Sequence, residues 1–393
     1  MTLSACTSPR IRVLALFPEL LGIGGIQEAG RQTARALGEL ARERGWTLQI
    51  LSLNDVLGEH SLASPDHPLC FRAFGRRKLS FLAGMIEKGM SSNRGDIQLV
   101  IAAHPNLALP AWLLKLFSSS PRIIVMTHGV EVWKRLPSLR RTALSHADLV
   151  LGPSTDTVQK LVEVQGIAPE KIRKLAWPLN PDFLAMAECP ERFTLPADFP
   201  HGRVVLTVGR WASAERYKGI DELIHATALL RAIPVGLHLV VVGAGDDLPR
   251  LQELASNAGV ADSVHFLGRV GAEELAACYA NADVFALPSS GEGFGLVFLE
   301  AMAFAKPIVG SAWGGTTDLV GHGVNGLLVP PGDIPALADA LRSLLENQPL
   351  RGMLGRRGAQ LVGERYRFEG FKIELAQILT QASASGVDSR KHP

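Results

Sequence analysis

Two doubly wound α/β domains facing a central cleft are the fold this sequence predicts, on three observations. The 393 residues exceed one ordinary hydrophobic core and favour two domains of roughly 150–200 residues each. Short apolar runs alternate with helical patterns along most of the chain, which is the pattern of a parallel sheet with helices on both faces. That alternation lapses once, in a proline-rich stretch from Pro178 to Gly202, and then begins again. The composition, 47% hydrophobic and 20% charged with a net charge of +2, excludes a disordered, coiled-coil or fibrous chain and removes the main support for bulk nucleic-acid binding.

In the first series Arg12 to Phe17 reads as a strand. Gln27 to Arg44 reads as a helix with Ala29, Thr33, Ala36, Leu37, Leu40 and Ala41 on one face, ended by Gly45. Trp46 to Leu53, Leu99 to Ala103, Ile123 to Thr127 and Leu149 to Gly152 are further strands with helices between them. The second series has strands at Arg203 to Val208, His238 to Val242, Val264 to Leu267, Val284 to Leu287, Pro307 to Gly310 and Leu327 to Val329. The domains are therefore placed at residues 1–180 and 200–367, with Pro178 to Gly202 as the connection. A last helix at about 368–385 is expected to pack back on the first domain. Ligands of open α/β sheets bind outside the carboxyl ends of the strands, so function belongs to the loops there.

Charge is uneven. Residues 1–190 carry 22 Lys and Arg against 16 Asp and Glu, a balance of +6, and residues 191–393 carry 18 against 22, a balance of −4. Cys6, Cys70, Cys189 and Cys278 form no C-x-x-C pair and read as buried free thiols of a reducing compartment. The N-terminus lacks the basic-then-apolar pattern of an export signal, so a cytoplasmic protein is expected. Ile97 to Leu114 contains no charged residue, but His104, Pro105, Asn106 and Pro110 break it into a strand followed by a helix rather than a membrane span.

Three loops carry the chemistry. After the first strand, Gly22-Ile23-Gly24-Gly25-Ile26 feeds a helix whose free N–H groups suit a phosphate; a tight strand-to-helix turn explains it equally well. It is not a dinucleotide fingerprint, because the G-x-G-x-x-G spacing fails. After Val208 stand Gly209 and Arg210, then Arg216-Tyr217-Lys218-Gly219, a guanidinium fork and a point charge suited to a phosphate group, with Arg216 read as a solvated surface charge. The run from Ser289 to Ala303 places Glu292 in a glycine-flanked loop and Glu300 about one turn into a helix that begins near Phe294. Carboxylates so placed can hold sugar hydroxyls, or simply cap a helix.

The runs VGRWASAERYKGIDELI (208–224), VVVGAGDD (240–247), FLGRV (266–270) and PSSGEGFGLVFLEAMAFAKPIVGSAWGGTTDLV (288–320) resemble the retaining nucleotide-sugar glycosyltransferases of family 4, with the GT-B fold. The GIGGI loop and the Thr127-His128-Gly129 turn extend the resemblance over nearly the whole chain. It implies an acceptor-binding first domain and a donor-binding second one. It implies main-chain donors at Gly24, Gly25 and Ile26 for the donor diphosphate and sugar, and Arg210 and Lys218 to neutralise the diphosphate. Glu292, with main-chain N–H groups of Gly293, Phe294, Gly295 and Leu296, would hold the transferred sugar and distal phosphate. Glu300 would hold the ribose, Gly243 the donor, Leu267, Gly268 and Arg269 the base, and His128 would lie beside the anomeric carbon. Glu131 and Trp133 either line the acceptor side or belong to the surface. At Trp313-Gly314-Gly315-Thr316-Thr317-Asp318 the sequence departs from the family, which more often has a proline and a glutamate there, so Thr316 and Asp318 have no assigned role.

No D-x-D occurs, so no metal site and no cofactor beyond the nucleotide sugar is expected; Arg210, Lys218 and helix dipoles must stabilise the leaving group. The reaction implied is transfer of a hexose from a UDP- or GDP-sugar to a glycan or lipid-linked acceptor, with retention, by double displacement or same-face attack; the sequence shows no suitably placed second carboxylate, which favours same-face attack. A GT-B sugar-nucleotide epimerase and a non-catalytic nucleotide-sugar-binding module are the alternatives. An epimerase calls for a different acidic set, and a dead module for a lost cation or glutamate. A peripheral contact with anionic membrane is suggested by the +6 half and two clusters. The first is Arg72, Arg76, Arg77 and Lys78 beside Phe71, Phe74, Leu79, Phe81 and Leu82; the second is Lys115 beside Trp112, Leu113, Leu116 and Phe117.

Overall fold

The computed structural model describes residues 11–63, 68–90, 97–116, 121–231 and 236–384. It divides into two compact units, Met1–Pro178 with Phe368–Pro393, and Leu179–Arg367.

The first unit is built on a sheet of β1 (Arg12–Phe17), β2 (Thr47–Ser52), β3 (Gly58–Leu62), β4 (Leu69–Ala73), β5 (Leu99–Ala102), β6 (Arg122–Met126), β7 (Leu149–Gly152) and β8 (Ile172–Lys174). Their order is β3-β4-β2-β1-β5-β6-β7-β8, parallel except for β3, which runs antiparallel to β4. β1 is buried along its whole length and lies between β2 and β5, so its carboxyl end is the point at which the winding of the sheet reverses. Helix α1 (Gly25–Arg44) follows, closed by Gly45 in the left-handed region. The C-terminal helix (Phe368–Ala384) lies against α1: Lys372 pairs with Glu39 at 2.9 Å and Glu43 at 3.1 Å, and Arg44 donates to Thr380.

The second unit has a fully parallel sheet of β9 (Arg203–Val208), β10 (Leu237–Val242), β11 (Val264–Gly268), β12 (Val284–Leu287), β13 (Ile308–Ser311) and β14 (Gly326–Val329). The order β11-β10-β9-β12-β13-β14 puts β9 between β10 and β12, so the end of β9 is the corresponding reversal.

Several expectations need correction. The sheet of the first unit is not purely parallel; β3 (GEHSL) and β8 (IRK) carry too little apolar sequence to be legible, and β4 (LCFRA), though mostly apolar, is not among the expected strands. β3 and β8 are edges, paired on one side and partly exposed, so no continuous hydrophobic run is required of them. The stretch after Pro178 is not a bare connection. Pro181–Glu188 is a helix capped by the Asn180 side chain, and its Phe183 packs edge-on against Tyr279 and Phe304 inside the second unit. The helix expected near Phe294 begins at Leu296. Among the described cysteines only Cys278 is buried, its thiol pushed up to about 12 by burial first and Glu274 second. Cys70 is exposed, Cys189 is intermediate, and Cys6 lies outside the described residues. Phe71, Phe74 and Phe81 are core residues rather than a membrane-facing surface, whereas Arg76, Arg77, Lys78 and Leu79 are exposed. Lys115 is paired with Asp148, and Phe117 lies outside the described residues. Among the described residues no helix is long and apolar enough to cross a membrane.

Candidate active site

In the first unit the loop after β1 is held from below. The buried Asp55 carboxylate accepts the N–H of Leu20 at 2.7 Å and of Leu21 at 2.9 Å, and the Ser52 hydroxyl at 2.5 Å. Arg31, oriented by Glu28, donates to the carbonyls of Leu20 and Gly22. The carbonyls are thus turned inward, and Gly24, Gly25 and Ile26 come to the exposed start of α1, where the first N–H groups of a helix have no acceptor within it. A side chain at Gly25 would meet nothing within 4 Å, so packing does not demand glycine there and the backbone faces open space. Asp55 and Arg31 escaped the sequence reading because their partners lie up to 35 residues away in the chain.

His128 follows β6. Its ring stacks on Trp177 at 5.2 Å and on His104 at 5.7 Å. Its Nε2 donates to the Ala103 carbonyl at 2.8 Å, since a carbonyl can only accept. Glu131 accepts the His128 main-chain N–H at 2.5 Å, which gives that carboxylate a local bracing role; the indole Nε1 of Trp133 is buried with no hydrogen-bond partner. Burial first, then the His128 ring, lowers His104 to about 4, and its Nδ1 accepts from the Asn106 N–H.

The second unit assembles its residues from four loops. After β9, Trp211 is buried, donates through Nε1 to the Val242 carbonyl and through its main chain to Ala244, and so fixes the departure of Arg210. A side chain on Gly243 would come within 1.8 Å of the Gly209 carbonyl; the loops after β9 and β10 are in backbone contact, and only glycine permits it. Asp246 accepts the Ser213 N–H and hydroxyl, and these bonds hold its carboxyl below the ordinary range. Asp247 is held down in the same sense, chiefly by Arg250, which also grips Asp221 in a fork. Gly243 in turn donates to the Gly268 carbonyl, placing Gly268 and its neighbours Leu267 and Arg269 beside it at the end of β11.

Lys218 and Glu292 are brought together. Ser290 donates its N–H to the Tyr217 carbonyl at 2.7 Å, tying the Lys218 loop to the loop after β12. Burial raises the Glu292 carboxyl above its ordinary range and the adjacent Lys218 draws it back; burial and Glu292 raise the Tyr217 hydroxyl. From the other side Gly315 donates to the Glu292 carbonyl at 2.8 Å, and a side chain there would strike the Gly293 carbonyl at 2.4 Å. Gly314 and Gly315, in the segment that departs from the family pattern, therefore brace the Glu292 loop, while the Thr316 hydroxyl is buried without a partner. Gly293, Phe294 and Gly295 turn the chain into the helix Leu296–Ala303, whose fifth residue is Glu300. One Glu300 oxygen accepts the Tyr279 hydroxyl at 2.8 Å; Tyr279 is fully buried, and burial drives its own ionisation far up. The chain's three tyrosines all border this site, since Tyr366 packs edge-on against Phe294. Arg210 pairs with Glu215, a residue no sequence signal singled out. Among the described residues no three His, Cys, Asp or Glu side chains are grouped to hold a metal ion.

A glycine turn at a strand end of the first unit, and cations, glycine turns and two glutamates at those of the second, fit a glycosyltransferase of the GT-B type. The family models "Glycosyl transferases group 1" and "Glycosyltransferase Family 4" match residues 198–361 and 24–182. The chain belongs to the group 1 glycosyltransferases of family 4 type. It is 34% identical over 302 residues, 72% of this chain and 76% of the other, to the GDP-mannose-dependent alpha-(1-6)-phosphatidylinositol monomannoside mannosyltransferase of Mycobacterium tuberculosis. Its structure is similar to a sucrose-phosphate synthase from Thermosynechococcus elongatus (TM-score 0.76, 26% identity, 95% of this chain and 100% of that one). The Anabaena protein HepE in complex with UDP-glucose shares the fold (TM-score 0.69, 18% identity, 95% and 100%).

His104 generates a prediction on stability. Its neutral form is favoured in the folded state, so its contribution is complete above the unfolded value near 6.5 and is lost as pH falls towards 4. Chemical denaturation should show a loss of up to about 3 kcal/mol across that window. His104→Asn, which keeps an acceptor for the Asn106 N–H, should flatten the slope; an unchanged slope would exclude His104 as its source.

Proposed function

We propose that the protein is a metal-independent retaining hexosyltransferase that moves a sugar from a nucleotide-diphosphate sugar to a hydroxyl of a glycan or lipid-linked acceptor in polysaccharide or glycolipid assembly. The observation that carries this reading is the loop pair that sets Lys218 against the half-buried Glu292, a cation for the diphosphate beside a carboxylate for the sugar. Lys218 and Arg210 neutralise the diphosphate; Glu292 and the main chain of Gly293 to Leu296 hold the transferred sugar; Glu300 holds the ribose hydroxyls. Gly243, Leu267, Gly268 and Arg269 border the nucleotide. Gly24, Gly25 and Ile26 offer N–H groups to phosphate and sugar, and His128 contacts the sugar. The first unit is the acceptor-binding one and the second the donor-binding one.

The acceptor oxygen bonds to the anomeric carbon on the face from which the diphosphate leaves. The carbon–oxygen bond to phosphate breaks, and the acceptor's proton passes to a departing phosphate oxygen. Fixed donors and cations aimed at that oxygen supply the stabilisation. The GDP-mannose-dependent relative makes GDP-mannose the first donor to assay and an inositol-containing lipid the first acceptor. In a panel of UDP-, GDP- and ADP-sugars one donor should support transfer, and Glu292→Ala should lower kcat more than it raises KM, because the charge it meets develops in the transition state. Near-normal turnover by that variant would remove Glu292 from the sugar site.

Single-turnover transfer should survive excess EDTA; abolition, with recovery on magnesium or manganese, would replace Arg210 and Lys218 by a metal as the counter-charge. The enzyme works in the cytoplasm at the inner face of the membrane, on which Arg76, Arg77, Lys78 and the exposed Leu79 dock. Cosedimentation should rise with anionic lipid, fall with salt, and drop when these three cations are changed to Glu. Equal recovery in the supernatant with neutral and anionic vesicles would point to a soluble acceptor.

A further inference from the structure

Glu215 lies between the two cations of the second unit. One carboxylate oxygen accepts from the Arg210 guanidinium, and the other stands 3.7 Å from Lys218 Nζ. Each oxygen thus serves one cation, the arrangement in which two oxygens of a phosphoryl group would meet them. The surroundings favour an exchangeable contact over a structural one. The Arg210 side chain is 70% exposed, while Glu215 and Lys218 are 13% and 16% exposed. The guanidinium arm is therefore free to follow a ligand, and the 3.7 Å contact with Lys218, longer than a hydrogen bond, is loose enough to open. An ion pair with so exposed a partner adds little to folding. The turn around Glu215 is irregular: its backbone leaves helical geometry at φ −118° and ψ 29°, inside a segment that ends at the left-handed Gly219. A phosphoryl group can offer the guanidinium a bidentate fork, where Glu215 gives it one acceptor oxygen.

We propose that Glu215 is a resident counter-ion of the donor site, bridging Arg210 and Lys218 in the unloaded protein and displaced from both by the incoming diphosphate. This rests on the reading of Arg210 and Lys218 as diphosphate ligands. With Glu215 in place the trio carries one net positive charge; once its carboxylate withdraws, two positive charges face the diphosphate. The bridge keeps the cations near their working positions. It also returns when the nucleoside diphosphate departs, and so competes against retention of the product.

Titration calorimetry of the full chain with UDP, GDP and ADP tests this in the wild type and in Glu215→Gln, Glu215→Ala, Glu215→Asp and Lys218→Ala. The Gln and Ala variants should bind the preferred diphosphate several-fold more tightly, with KM for the donor and kcat both reduced as product leaves slowly. The Asp variant, which keeps the charge, should return towards wild-type binding. Weaker or unchanged binding in both neutral variants, with Lys218→Ala weakened, overturns the counter-ion role and leaves the donor site standing. Tight binding by Glu215→Asp equal to that of Glu215→Gln also overturns it. If no diphosphate binds the wild type, the donor-site reading falls and takes this inference with it.

Discussion

A half-buried carboxylate next to a lysine is the interaction around which the second unit's site is arranged. Burying an acid is costly unless a cation or hydrogen bonds compensate, and here compensation is partial: Glu292 is raised by burial and only drawn back by Lys218. Such an arrangement persists only if the backbone leaves the two groups no alternative. The Ser290 to Tyr217 bond holds the lysine's loop, and Gly315 on the Glu292 carbonyl holds the acid's. The site is therefore a property of loop-to-loop main-chain contact at the ends of β9, β12 and β13, more than of any one side chain.

Carboxylates brace loops in both units by one device. Asp55 gathers the N–H groups of Leu20 and Leu21, Glu131 takes that of His128, and Asp246 takes that of Ser213. In each case an acid a few residues past a strand end satisfies main-chain donors that a loop would otherwise leave unpaired, and thereby fixes which donors remain outward. The VVVGAGDD segment shows the division of labour: Gly243 permits the contact with Gly209, and the aspartates that follow hold the loop bearing Arg210 and Lys218.

Against these fixed parts stand a few groups that can move or that face open space. Arg210 is the exposed member of its ion pair, and Gly25 and Gly268 have nothing where a side chain would project. On the proposed reading of Arg210 and Glu292, donor recognition would combine a rigid sugar end with an adjustable phosphate end.

The sequence by itself determined the two α/β series, the position of β1 to the residue, and the loops that carry Gly24, Lys218 and Glu292, because buried strands must be continuous apolar runs and strand-end turns must be glycine-rich. The resemblance named the roles. What only the tertiary structure decided is what lies across from each group. Tyr279 on Glu300, Asp55 under the first glycine loop, Gly315 on Glu292, and Glu215 between Arg210 and Lys218 come from chain neighbours too distant or too ordinary to be marked. Edge strands β3 and β8 and the eight-residue helix at Pro181–Glu188 were likewise invisible: an element with one exposed face, or of two turns, needs no periodicity of its own when its partner elements supply the burial.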